Sequence, residues 1–131
     1  MNPFIANEEN RKMVEGNIIY MLRSFLSNSS FEYVIFDWAM DREEIFEIIL
    51  RELKDLDFEL YKIALTCSED CLYERIKSDV NTNIRGEDSI EKSVERLRRY
   101  DELNTEKIDT TSLSIREVVD AVKNILSVLE E

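Results

Sequence analysis

Apolar residues along this chain fall into segments of two different periods, separated by short polar runs. From Asn7 to Phe25 the apolar positions Met13, Ile18, Met21, Leu22 and Phe25 recur at helical spacing. Ser27-Asn28-Ser29-Ser30 interrupts that pattern with side chains that compete for backbone hydrogen bonds. Tyr33–Trp38 (YVIFDW) is a near-continuous apolar run interrupted by Asp37, the pattern of a strand covered on both faces. Asp41-x-x-Glu44 reads as a capping box and predicts a helix through Leu53. Glu59–Thr66 (ELYKIALT) predicts a second strand, after which Ser68 caps a helix over Glu69–Asp79. Val80–Asp88 is polar and holds one of only two glycines. Asp88-x-x-Glu91 opens a helix over Ser89–Leu103, and Lys107–Asp109 is a short strand candidate. Ser114-x-x-Glu117 opens a last amphipathic helix, Ile115–Leu129.

A helix followed by repeated strand–helix units predicts an α/β fold, with a short parallel sheet and flanking helices. At 131 residues, with no internal repeat and no low-complexity linker, the chain reads as one domain. Apolar content of 44% beside 35% charged residues places it among globular rather than disordered chains.

Charge narrows the function. A net charge of −12 repels a phosphate backbone, so a nucleic-acid polymer is not an expected partner. Any anion site must be a local basic spot, and the densest is Arg96, Arg98 and Arg99. No apolar run approaches the roughly 20 residues of a membrane span and no signal peptide is read, which predicts a cytoplasmic protein with no membrane partner. The two cysteines, Cys67 and Cys71, lie where a strand runs into a helix. With two thiols and no histidine a zinc site is not expected, and one helical turn is poor geometry for a disulfide. Both cysteines are read as reduced and structural. The lack of histidine also removes Ser/His and Cys/His hydrolysis within one chain.

Specific chemistry is concentrated in Arg85–Tyr100, RGEDSIEKSVERLRRY. Arg85 precedes the helix start at Asp88, and Arg96 lies on the helix itself. Two guanidiniums held across a loop–helix joint can grip one polyphosphate, because each donates paired, charge-assisted hydrogen bonds. The alternative is an ordinary amphipathic helix whose basic residues are solvated.

In the order of these motifs, from about Asn7 to Leu126, the chain resembles the P-loop kinases of the adenylate kinase-like group, the nucleotide and nucleoside kinases. The strand ending in Asp37 is similar to the family's third strand. LTCSEDCLYERI resembles the fourth strand and its following helix, with Arg75 as the family's arginine. Arg85, Glu87, Asp88 and Arg96 resemble the lid pattern R-x-D-D…R, and Tyr100 fits its continuation. KIDTTSLSIREVVDAV resembles the last strand, the loop beside the nucleotide base and the closing helix.

The resemblance implies an ATP-dependent small-molecule phosphotransferase, with ATP and Mg2+ as cofactors and a nucleotide as the small-molecule partner. It implies that Arg85 and Arg96 hold the transferred phosphates, that Asp37 works near magnesium or substrate, that Arg75 lies by the ATP base, and that Trp38 faces the acceptor. Each has a plain alternative: Arg75 pairs with Glu74 or Asp79, Asp37 caps the next turn, and Trp38 is core. The chain also departs from the family. Asp79 stands where adenylate kinases often carry a further arginine, and the lid is short.

The phosphate loop G-x-x-x-x-G-K-[ST] is missing, since the only glycines are Gly16, within a helical pattern, and Gly86. The expectation is therefore a partial P-loop kinase-type three-layer fold without its first two strands and P-loop, inactive as this isolated chain. In the family the first strand lies between the third and fourth. Tyr33–Trp38 and Glu59–Thr66 are then expected to pair directly, to be completed in a homodimer, or to be completed by another chain. A non-catalytic anion- or nucleotide-binding module, or an acidic protein-interaction module, is the alternative function.

Overall fold

The structure is a computed structural model that describes residues 5–82 and 89–130. It divides into two compact units, one up to Glu59 and one from Leu60 onward.

In the first unit, helix α1 spans Glu8–Leu26. Asn7 caps it, its side-chain oxygen accepting from the Asn10 N–H at 2.8 Å. Glu8 and Glu9 in the first turn and Arg23 in the last match the helix dipole. A Cβ at Gly16 would meet no atom within 4 Å, so this mid-helix glycine serves neither close packing nor a phosphate loop. Helix α2 spans Glu43–Arg51. Leu22 of α1, Ile49 of α2 and Leu53 just beyond α2 form the buried core, and Ile18, Val34, Phe36 and Phe58 pack around it. Arg23 ties α1 to the turn after α2. Its guanidinium donates to both Asp55 carboxylate oxygens, at 2.7 and 2.8 Å, and to the Glu52 carbonyl at 2.8 Å.

Two sequence expectations fail in this unit. Tyr33–Trp38 is not a strand: it joins no ladder. Its side chains alternate, with Val34 and Phe36 packed on the core while Tyr33 and Ile35 are exposed, Ile35 at 93%. An apolar run signals burial on both faces only if a sheet neighbour exists, and here one face alone is covered. The start of α2 is also shifted by one residue from the predicted cap at Asp41. Arg42 is the N-cap residue, extended and without a side-chain cap, while Asp41 is one of the few buried polar residues. The helix stops at Arg51, two residues before the predicted end.

In the second unit, strand β1 (Ile63–Thr66) pairs in parallel with β2 (Glu106–Asp109), with Leu65 opposite Ile108 and Thr66 opposite Asp109. The parallel sheet is as expected, but β1 is half the predicted length because only four residues find a partner. Helix α3 (Glu69–Asn81) follows β1, α4 (Ser89–Glu102) precedes β2, and α5 (Ile115–Glu130) follows it. Ala64, Ile76, Leu97, Leu103 and Ile108 are buried, Ile76 at 2% exposure. Ser68 caps α3 by accepting from the Cys71 N–H at 3.1 Å. The predicted box opens α5 in both directions: Glu117 N–H donates to Ser114 Oγ at 3.2 Å, and Ser114 N–H to Glu117 Oε1 at 3.0 Å. Asp88, and with it the box predicted to open α4, lies outside the described residues.

Candidate functional site

Parallel strands end at one edge of their sheet, and the helices that follow them start there, so polar backbone groups converge outside the carboxyl ends. In the second unit this edge is knotted by hydroxyls. The Thr66 carbonyl accepts from the Thr110 N–H at 2.7 Å, extending the ladder one step, and from the Thr110 hydroxyl at 2.8 Å. The Thr111 hydroxyl accepts from the Ser68 N–H at 2.8 Å and donates to Asp109 Oδ1 at 2.6 Å. That bond holds the Asp109 carboxyl below its usual range, with the nearby Arg75 charge acting in the same direction.

Arg75, on α3, reaches across to this knot. One guanidinium nitrogen donates to Thr110 Oγ1 and another to the Thr110 carbonyl, both at 3.0 Å. The α3 helix is thereby clamped to the loop that leaves β2, rather than Arg75 being spent on a helix neighbour.

Beside the clamp lies a groove of about 660 Å³. Its floor is the end of β1 and the start of α3, with Leu65, Thr66, Cys67 and Leu72. The α4 face adds Ser93, Arg96, Leu97 and Tyr100, and the loop after β2 and the start of α5 complete it. Its walls are mostly apolar, with a few polar groups converging on it. Two arginines line it and, among the described residues, no aspartate or glutamate does. Among the described residues Arg96 makes no hydrogen bond or ion pair, whereas its neighbour Arg98 is bound to Glu69 at 3.0 Å. An exposed guanidinium on a groove whose described lining holds no carboxylate, in a chain of net charge −12, is a local anion attractor.

No protein-family model, curated protein or solved structure matches this chain.

The sequence-derived candidates divide accordingly. Arg75 and Arg96 line the same groove. Arg85 lies outside the described residues. Asp37 and Trp38 belong to the first unit. There Asp37 is exposed, and the Trp38 ring stands 6.5 Å from that of Phe36 at a tilt of 53°. Sequence reasoning missed Thr66 and Thr110, the two hydroxyls that build the strand-end knot. Their signal was present as threonines at or just past the ends of the two paired strands, but only the pairing shows that they meet.

Cys67 and Cys71 are free thiols, both half-buried. Burial pushes the Cys67 thiol up, against the opposing pull of Arg75. No group of three or more potential metal ligands occurs among the described residues, and no described helix is long and apolar enough to cross a membrane.

Proposed function

We propose that this chain is a member of the adenylate kinase-like phosphotransferases and that its groove takes a nucleotide or similar phosphorylated small molecule. The carrying observation is Arg96, whose guanidinium has no partner and whose groove has no carboxylate among the described residues, beside the Arg75–Thr110 clamp. Tyr100 and the leucine and valine side chains supply an apolar wall for a flat ring, while the guanidinium supplies charge-assisted bonds to phosphate. The order strand, helix, lid segment, helix, strand, helix in the second unit supports the same reading.

Magnesium enters this reading as an ion carried by ATP phosphates, which such ions prefer to an all-protein cage. Phosphoryl transfer needs a backbone cradle with a lysine, and these 131 residues contain no G-x-x-x-x-G-K-[ST]. No turnover is therefore assigned to the chain by itself. That same observation favours a second reading, a nucleotide-binding module that does not transfer phosphate.

Calorimetric titration with ADP tests the site. Binding is expected, and Arg96→Ala should weaken it about tenfold, the worth of roughly 1.4 kcal/mol in one charged contact. Absence of heat and of any melting-temperature shift at millimolar ADP would remove the nucleotide reading. Transfer of the γ-phosphate to any acceptor by the chain alone would remove the second reading.

A further inference from the structure

Three large apolar side chains lining the groove are left in water. Ile115 at the start of α5 is 86% exposed, Leu65 of β1 54% and Val119 of α5 45%. Leu72, Leu97 and Val118 extend the apolar wall. One exposed leucine or valine is ordinary, but three on one groove form a patch that a bound apolar group would cover. The polar groups of the same groove are mostly committed to the protein. The Thr110 hydroxyl donates to the Thr66 carbonyl and accepts from Arg75, while the Thr110 carbonyl accepts from Arg75 and from the Leu113 N–H. The Thr66 hydroxyl lies 3.5 Å from the Ile108 carbonyl. Among the described lining residues two strongly polar side chains have no partner, Arg96 and Ser93. They stand three residues apart on α4, on one face of the helix.

We infer that the groove takes an amphipathic anion, a phosphate monoester whose body is an aliphatic chain rather than a nucleoside. The inference rests on the Arg96 anion site proposed above and narrows its ligand. A sugar or purine entering the groove loses water at several hydroxyls and ring nitrogens and finds few free groups to replace it. An alkyl phosphate loses water at its head alone. There the Arg96 guanidinium supplies charge-assisted bonds, with the Ser93 hydroxyl as a further donor on the same face. Its chain covers Leu65, Ile115 and Val119, which otherwise stay wet. Charge complementarity fixes which end of the ligand meets α4, and the exposed aliphatic side chains fix the chemistry of the rest.

Calorimetric titration with butyl, hexyl and octyl phosphate, each below its aggregation concentration, tests this beside ADP and octanoate. Affinity is expected to rise about threefold per added methylene, with octyl phosphate about tenfold tighter than ADP and displacing it. Arg96→Ala should weaken all three alkyl phosphates by the same factor, about tenfold, and leave the dependence on chain length intact. Ile115→Ser combined with Val119→Ser, both at exposed positions that the fold tolerates, should flatten that dependence. ADP bound as tightly as octyl phosphate, with no effect of chain length, would overturn the inference and leave the nucleotide reading standing. Octyl phosphate bound while ADP is silent would remove the nucleotide reading and support the inference. No heat from either would remove both. Octanoate equal to octyl phosphate would overturn the phosphate head in favour of a carboxylate. A dimer in sedimentation velocity that Ile115→Ser dissolves would overturn the inference by giving the apolar patch to a second copy of the chain.

Discussion

At the scale of single residues, the polar side chains that matter are those spanning two segments. Arg75 does so on α3, where both its contacts end on one threonine, and Arg23 does so on α1. The Arg23 bridge has a pH signature. Its hydrogen bonds lower the Asp55 carboxyl to about 2, from an ordinary value of about 3.9 in an unfolded chain. A carboxyl depressed on folding stabilises the fold above its unfolded value and loses that contribution as pH falls through the folded one. Glu117, held low by its bonds to Ser114, acts with the same sign. Wild-type stability is therefore expected to fall between about pH 4 and pH 2. Denaturant melts should show a shallower fall for Asp55→Asn, which starts less stable at neutral pH. An identical acid limb in both proteins would mean that the pair contributes nothing in solution, as many exposed ion pairs do.

At the scale of elements, helices were easier to read than strands. A helix makes its own hydrogen bonds, so period and caps are local signals, and Ser68 and Ser114 each cap where the sequence places them. A strand needs a neighbour. Tyr33–Trp38 carries strand-forming residues but joins no sheet among the described residues, while the short Glu106–Asp109 finds β1 and becomes a strand. The one-sided burial of 33–38 predicts opposite responses from adjacent positions. Phe36→Ala should cost about 2 kcal/mol, less than a fully buried phenylalanine because the ring is only partly covered. Ile35→Thr should change stability by no more than about 0.5 kcal/mol. Equal losses at both positions in urea melts would show that this segment is covered on both sides in solution.

At the scale of the whole molecule, the decisive quantity is the net charge of −12. Its self-repulsion opposes compaction, and salt screens it, so the melting temperature at neutral pH should rise by a few degrees between about 10 mM and about 0.5 M sodium chloride. A flat or falling dependence, followed by differential scanning calorimetry, would mean that specific ion pairs outweigh the general field. Against that field, residues spread over β1, α3, α4 and the loop after β2 build a groove lined by two arginines. Composition and spacing by themselves determined the helical segments, two of the caps, the parallel sense of the sheet and the acidic field. Those are consequences of local hydrogen bonding and of counting charge, which need no partner at a distance. Which strand pairs with which, and that Arg75 clamps Thr110 rather than a helix neighbour, were decided only by the tertiary structure. Each of these depends on a contact between segments, and a contact exists only after the chain has folded.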